Sequence, residues 1–423
     1  MPSLYDVTAR QELFWDQETA FEAVVGTDEN QRAVAPGKLQ QTWEKGGRAY
    51  FRYATNAPLR NEYAFFSARY AVYEKQWQDV EIQIIHHPEH TANVDRTAKS
   101  IAASLDYFSK HFGPYPYDHI SFVEHPGPGS GLHASAINIS YLEGFSYFHP
   151  EADERNLDFA YAVAAHEVAH QWWGNQLQYA HVEGAGLLSE SLAWYSAFGV
   201  VEETFGQEHL QRLLGVMRTA YETPRTRADV PLLRAHNEYH NYRKGPFALY
   251  ALSQYMGREQ VNTALQQFLR KHRAKTTDLP TSLDLYQELQ QVTPDSLHYL
   301  LHDLFEANTF WELEAEQVTA KPTKADKWEV TLAIQARKVV VDSMGVETLI
   351  SLDDWIEIGV YGPAAEDGKP GKILYLQKHR ISSNDQLITV TVPQKPAKAG
   401  IDPRHLLIDW KMSDSTEEVE LEQ

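Results

Sequence analysis

Polar and apolar positions alternate in three stretches of the first ninety residues: A-Y-F-R-Y-A (49–54), N-E-Y-A-F-F-S-A-R-Y-A-V-Y (61–73) and D-V-E-I-Q-I-I-H-H (79–87). A two-residue repeat of this kind predicts half-buried strands, and G-G and N-A-P-L-R between the stretches supply the turns. Ahead of them, Gln11 to Val25 has no clear period and reads as a short helix. From about residue 91 the spacing changes. Ile101, Leu105, Phe108 and Phe112 fall three or four apart behind Asn93 and Asp95, which predicts a capped helix over 91–112. A short strand, His119 to Glu124, is followed by helical periodicity over 155–205, 207–223 and 257–307, with a break at Leu279-Pro280 and caps in S-L-D-L-Y and T-P-D-S-L. After residue 313 alternation returns in five runs, the first W-E-V-T-L-A-I-Q-A-R-K-V and the last H-L-L-I-D-W. Turns such as E-D-G-K-P-G (366–371) separate them, the pattern of a β-sandwich. The expected fold is therefore α+β and multidomain: a partial amino-terminal β domain (1–90), a helical domain (91–312), a β-sandwich (313–415) and a disordered acidic tail (416–423).

Composition narrows the function classes. At 423 residues the chain has room for roughly three domains. A net charge of −20 excludes a nucleic-acid partner, which needs a basic face. There is no cysteine, hence no disulfide framework and no thiolate-ligated zinc. No run of eighteen apolar residues occurs, and the first ten residues lack the basic segment and apolar core of a secretory signal.

The candidate chemistry sits in Y-A-V-A-A-H-E-V-A-H-Q-W-W-G-N, uninterrupted by Gly or Pro until Gly174. Residues four apart share a helix face, so His166 and His170 can turn two imidazoles toward one metal ion. Glu167 lies beside them, placed to take a proton from an activated water. Catalytic zinc takes three protein ligands and keeps a fourth position open. Glu190, in a second helical run, is the candidate third ligand for one Zn2+ per chain. Glu183 is the alternative, as ligand or as partner of a ligand histidine.

The segment H-E-V-A-H-Q-W-W-G-N with an acidic residue some twenty positions on resembles the gluzincin peptidases of the aminopeptidase N and leukotriene hydrolase family. The resemblance implies a thermolysin-like α-helical catalytic domain between β domains, zinc held by His166, His170 and Glu190, and Glu167 as general base. The gap between the second His and the Glu is nineteen residues here against the usual eighteen, a difference that the Gly-rich loop before Glu190 is expected to absorb. Y-R-K-G (242–245) resembles the family's segment whose Tyr donates to the oxyanion. That role falls on Tyr242, with Tyr239 as fallback and Lys244 read as structural. Such a donor can supply about 3 kcal/mol.

One departure bears on specificity. Where the family carries a G-x-M-E-N strand whose Glu holds the substrate's free amine, this chain reads G-L-H-A-S, with Ala134 in the place of the Glu. An edge strand there can still bind peptide backbone. Gly131 and His133 are the candidate substrate contacts, and Glu124 is the candidate replacement carboxylate.

The implied activity is zinc-dependent hydrolysis of peptide or protein substrates, with aminopeptidase action leading. Endopeptidase action and a zinc-bearing domain that binds peptides without turnover are the alternatives. The chain also resembles the peptidase part of bacterial fusions with transporter-like membrane segments. An extracytoplasmic and a cytoplasmic location, and the number of subunits, stay open.

Overall fold

A computed structural model describes the chain except residues 14–17, 148–156, 221–226, 274, 365–370 and 423. The described residues form two compact units: one of 1–222, 233–249 and 257–293, the other of 223–232, 250–256 and 294–423.

The first unit begins with strands β1 (Glu22–Asp28), β2 (Arg32–Val34), β3 (Lys38–Lys45) and β4 (Arg48–Ala54). β1 and β3 both pair antiparallel with β4, and Ala33, Ala35, Ala49, Phe51 and Tyr53 form the core beneath them. β1 corrects the helix expected from Gln11. Each of its seven residues pairs with β4, and Val25 packs on that core, so ladder pairing overrides a segment with no helical period of its own. Among the described residues of that region, only a single turn at Ala9–Gln11 is helical.

β5 (Phe66–Ala68) pairs with β2. β6 (Ala71–Trp77), β7 (Val80–His86), helix α1 (Val94–His111), β8 (His119–His125), β9 (Leu132–Ser135) and β10 (Asn138–Leu142) build a five-stranded sheet in the order β6-β7-β8-β10-β9. The β7-α1-β8 crossover makes β7 and β8 parallel, whereas β9 lies antiparallel to β10 at the sheet edge. The helices that follow in the chain are α2 (Phe159–Ala169), which packs against β9, α3 (Leu192–Phe205), α4 (Gln207–Ala220), α5 (Gly245–Met256), α6 (Arg258–His272) and α7 (Ser282–Val292). The chain passes from the first unit to the second within α5. α1 is amphipathic, with Ile101, Leu105 and Phe108 fully buried. α2 is buried on every side, so only small residues, Ala160, Ala162, Ala164, Ala165 and Ala169, let its neighbours approach. α7 starts one residue earlier than its sequence cap suggests: Thr281 and Asp284 form a reciprocal capping box.

The second unit contains α8 (His298–Phe305) and strands β11 (Thr309–Pro322), β12 (Trp328–Val341), β13 (Glu347–Ile350), β14 (Asp354–Tyr361), β15 (Ile373–Ile381), β16 (Asp385–Val392), β17 (Lys398–Ile401), β18 (Thr416–Glu418) and β19 (Glu420–Leu421). One sheet runs β13-β12-β11-β19 with β16 also on β12; the other runs β15-β14-β17-β18. Buried alternate residues such as Val330, Leu332 and Ile334 on β12, with Ile356 and Ile358 on β14, form the core. Lys338 is buried between Asp303 and Asp354, 2.8 Å from each. Residues 416–422 of the acidic tail are ordered rather than disordered. β18 pairs with β17 and β19 with β11, so two strand edges supply the backbone partners that its side chains do not. The expected turn at 366–371 lies, apart from Gly371, outside the described residues, as do 155–156 and 221–223 of the expected helices. Among the described residues no helix is long and apolar enough to cross a membrane.

Candidate active site

α2 sets the site. Asp158 caps it by accepting from Tyr161 N at 3.0 Å, and the Ser100 hydroxyl donates to Tyr161 O at 2.7 Å. His166 lies in its last turn; His170 is the residue that ends it, still in helical backbone. The two therefore keep the one-turn spacing that the sequence predicts. The Q-W-W-G-N that follows has a local task at nearly every position. Gln171 donates to Ser135 O at 3.0 Å and accepts from Ile137 N at 2.8 Å. Asn175 donates to Ala134 O at 3.2 Å and to His170 O at 3.0 Å. Trp172 donates to Gly113 O, and Trp173 to the Ser196 hydroxyl on α3, both at 2.9 Å. The segment thus clamps edge strand β9 and α3 to the helix that carries the histidines.

Glu190 comes from a π turn, Leu187–Ser191, that leads directly into α3. A π turn holds one residue more than an α turn and recurs at functional sites. It offers a place within the helix for the extra residue in the His170–Glu190 gap. Tyr242 lies in a second π turn, Tyr239–Lys244, at the entrance to α5.

The geometry at the centre is tight. His166 Nε2 and His170 Nε2 are 3.3 Å apart, and Glu190 Oε2 is 3.2 Å from the first and 3.4 Å from the second. Ligands bound tetrahedrally at about 2.0 Å are separated by about 3.3 Å, so this triangle fits the three-ligand face of a zinc-sized cation. Two imidazoles and one carboxylate also match that ion's donor preference. The electrostatics agree. Burial alone would lower His170, yet Glu190 and Glu167 push it up to about 9, so this place favours positive charge. Burial would raise Glu190, but His170 and His166 hold it well below the ordinary carboxylate range. Trp173 O lies 3.1 Å from His170 Nδ1, which leaves Nε2 as the ligating atom. His166 is oriented differently, by stacking on Trp194 with ring centroids 4.4 Å apart.

Glu167 is buried beside this triangle. Burial raises it above the usual carboxylate range, His166 and His170 oppose that, and Glu190 adds to it. All four residues line one cavity of about 530 Å³ together with Tyr242, Gly131, His133 and Ala134. Glu124 is elsewhere. Its buried carboxylate accepts from the Tyr141 and Ser146 hydroxyls, each at 3.2 Å, and meets His90 Nδ1 at 2.5 Å. A further carboxylate lining the cavity, Glu62, was not singled out from the sequence. It lies 2.7 Å from His133 Nε2, with Arg60 3.7 Å away. Burial raises Glu62, but His133 and Arg60 hold it below its ordinary range; Glu62 in turn raises His133. Glu183 is not at the triangle. Arg234 donates to both of its oxygens, at 2.9 and 2.8 Å, and Leu4 N to one of them at 3.3 Å.

Residues 93–304, half of the chain, match the peptidase family M1 domain. The chain belongs to peptidase family M1. It is similar to aminopeptidase 2 of Candida albicans, 26% identical over 214 residues that make up 46% of this chain and 22% of that protein. Bovine aminopeptidase N is 25% identical over 248 residues, 54% of this chain and 25% of that protein. The chain thus matches about a quarter of the length of these relatives. In fold it resembles an M1 zinc metallopeptidase from Deinococcus radiodurans, with a TM-score of 0.53 and 17% identity over 69% of this chain and 65% of that one.

Proposed function

We propose that this M1 chain is a zinc-dependent peptidase that acts first on the amino termini of peptides. The observation that carries the proposal is the 3.2–3.4 Å triangle of His166, His170 and Glu190, with Glu167 and Tyr242 in the same cavity. Zinc bound there supplies a Lewis acid and lowers the pKa of a water toward neutrality. Glu167 takes the proton of the attacking water and returns it to the leaving amine. Its burial suits the task, because a carboxylate held in apolar surroundings is a stronger base. Tyr242 donates its phenol O–H to the developing oxyanion. β9 is an edge strand fixed to the metal-site helix by Gln171 and Asn175, which suits main-chain pairing with an extended peptide. Ala134 on that strand favours a second reading, endopeptidase action, because the strand itself offers no anion to an ammonium group.

The test is mass-spectrometric mapping of products from free and N-acetylated peptides, using native protein, Glu167→Ala and a zinc-stripped sample. Stepwise loss of amino-terminal residues from free peptides only is the expected result. Internal cuts in both sets support the endopeptidase reading. If no product depends on zinc and on Glu167, the peptidase reading is wrong and a peptide-binding role takes its place.

A further inference from the structure

Glu124 does not line the catalytic cavity, and the hydrolytic chemistry makes no use of it. Its two oxygens nevertheless divide a set of donors between them. Oε2 accepts from the Tyr141 and Ser146 hydroxyls, each at 3.2 Å, and from His87 N at 3.3 Å. Oε1 is left to His90 Nδ1, at 2.5 Å. On the far side of that ring, His90 Nε2 lies 3.0 Å from the Tyr147 hydroxyl. The order is carboxylate, imidazole, hydroxyl, with one partner at each ring nitrogen. A carboxylate at Nδ1 places the ring proton there and leaves Nε2 as an acceptor for the phenol.

Both ends of this chain of bonds are held by the fold. Glu124 is buried near the end of β8, and the Tyr70 hydroxyl donates to its backbone O at 2.7 Å. The 3₁₀ turn Glu143–Tyr147 is fastened to the start of α1, because Asn93 Nδ2 donates to Phe145 O at 3.0 Å and to Ser146 O at 3.3 Å. His90 N donates to His87 O at 2.9 Å, and the His90 ring meets the Tyr147 ring edge-on, with centroids 5.3 Å apart. Tyr147 itself is 62% exposed. An activated nucleophile needs a base within hydrogen-bond reach, a third group that orients the base, and access to a reactant. All three conditions are met here at a phenol.

We propose that His90, oriented by Glu124, acts as general base for Tyr147, and that Tyr147 is a modification site that accepts an acyl group from an activated ester. The phenol oxygen attacks the ester's carbonyl carbon, its proton passes to His90 Nε2, and the donor's leaving group departs with that proton. Tyr147 ends as a phenyl ester and the imidazole is neutral again. Neither the metal triangle nor Glu167 takes part, so the outcome is independent of the peptidase reading.

The full chain, loaded with zinc, is treated with p-nitrophenyl acetate, and acetylation of each tyrosine is followed by peptide mass spectrometry. Tyr5, 70% exposed, is the reference within the same molecule. Tyr147 should be acetylated roughly 100-fold faster than Tyr5, the lower end of what a positioned general base supplies. His90→Gln keeps a donor for Glu124 but offers no base to the phenol. It should bring the two rates to within about threefold and leave the Tyr5 rate unchanged, which also certifies the fold. Equal rates at Tyr147 and Tyr5 in the native protein overturn the proposal. So does a preference for Tyr147 that survives His90→Gln, because it assigns the reactivity to exposure rather than to the imidazole.

Discussion

Gln171 offers a severe test of how the site is held. It is fully buried, and its amide bridges two backbone groups of the β9–β10 hairpin: it donates to Ser135 O and accepts from Ile137 N. Ile137 is in the left-handed region, φ +57°, which a β-branched residue avoids at a cost of roughly 1–3 kcal/mol unless its surroundings enforce it. Gln171→Met keeps the volume and removes both hydrogen bonds. The buried Ile137 N–H then loses its acceptor, and Ser135 O loses one donor. At about 1–3 kcal/mol for a stranded buried group and about 1 kcal/mol for a shared one, the loss comes to roughly 2–4 kcal/mol. It should appear as a lower midpoint of the first transition in urea unfolding followed by fluorescence and circular dichroism. With β9 proposed to pair with the substrate backbone, the Michaelis constant for peptides should rise more than kcat falls. A stability change below about 0.5 kcal/mol, or an unchanged Michaelis constant, would refute the idea that this amide holds the strand in place.

Three other outcomes follow from the same geometry. Glu190→Gln should weaken zinc binding at least tenfold in competition with a chelator, whereas Glu183→Gln, which disturbs only Arg234 and Leu4, should leave the zinc content unchanged. Tyr242→Phe should lower kcat about 100- to 1000-fold with little change in unfolding midpoint; retention of most activity would remove it from the oxyanion role. His119, buried near Lys38 and Arg32 and 3.8 Å from Glu81, is lowered by that burial to about 3. Its folded value lies below its unfolded one, so its contribution to stability is complete above pH 6.5 and is lost as pH falls from there toward 3. The slope is at most about 1.4 kcal/mol per pH unit, and denaturation of His119→Gln should show a flatter acid limb over that window.

The fold was legible where a period persisted. α1 and the long strand β12 repeat their pattern over two or more turns or four or more residue pairs, so one misplaced residue does not erase it. Glu22–Asp28 and the tail failed for a common reason. Each is a strand because of a partner distant in sequence, β4 in one case, β17 and β11 in the other, and neither shows an internal alternation strong enough to announce that partner. Charge misled at the tail as well, because the Glu side chains of 417–420 point at no core while their backbone fills two sheet edges.

At the site, legibility followed chain distance. His166, Glu167 and His170 are read together because a helix turns their spacing into shared direction, and Glu190 and Tyr242 become readable through the segments around them. The two π turns show what a residue count cannot give. Each packs one more residue into a turn at the point where a functional side chain must be aimed, and the extra residue before Glu190 need not disturb the loop at all. Glu62 was invisible for the opposite reason. It stands at the head of the alternating 61–73 stretch but ahead of β5, pinned by Leu59 and Arg60, and nothing nearby in sequence relates it to His133 seventy-one positions away. Glu124, close to β9 in sequence, looked the better substitute for a missing carboxylate, yet β8 carries it into a buried network with His90, Tyr141 and Ser146. Proximity along the chain located the chemistry that a single helix can assemble. Glu62 reaches the same cavity from a segment far away in sequence, and only the folded chain brings it to His133.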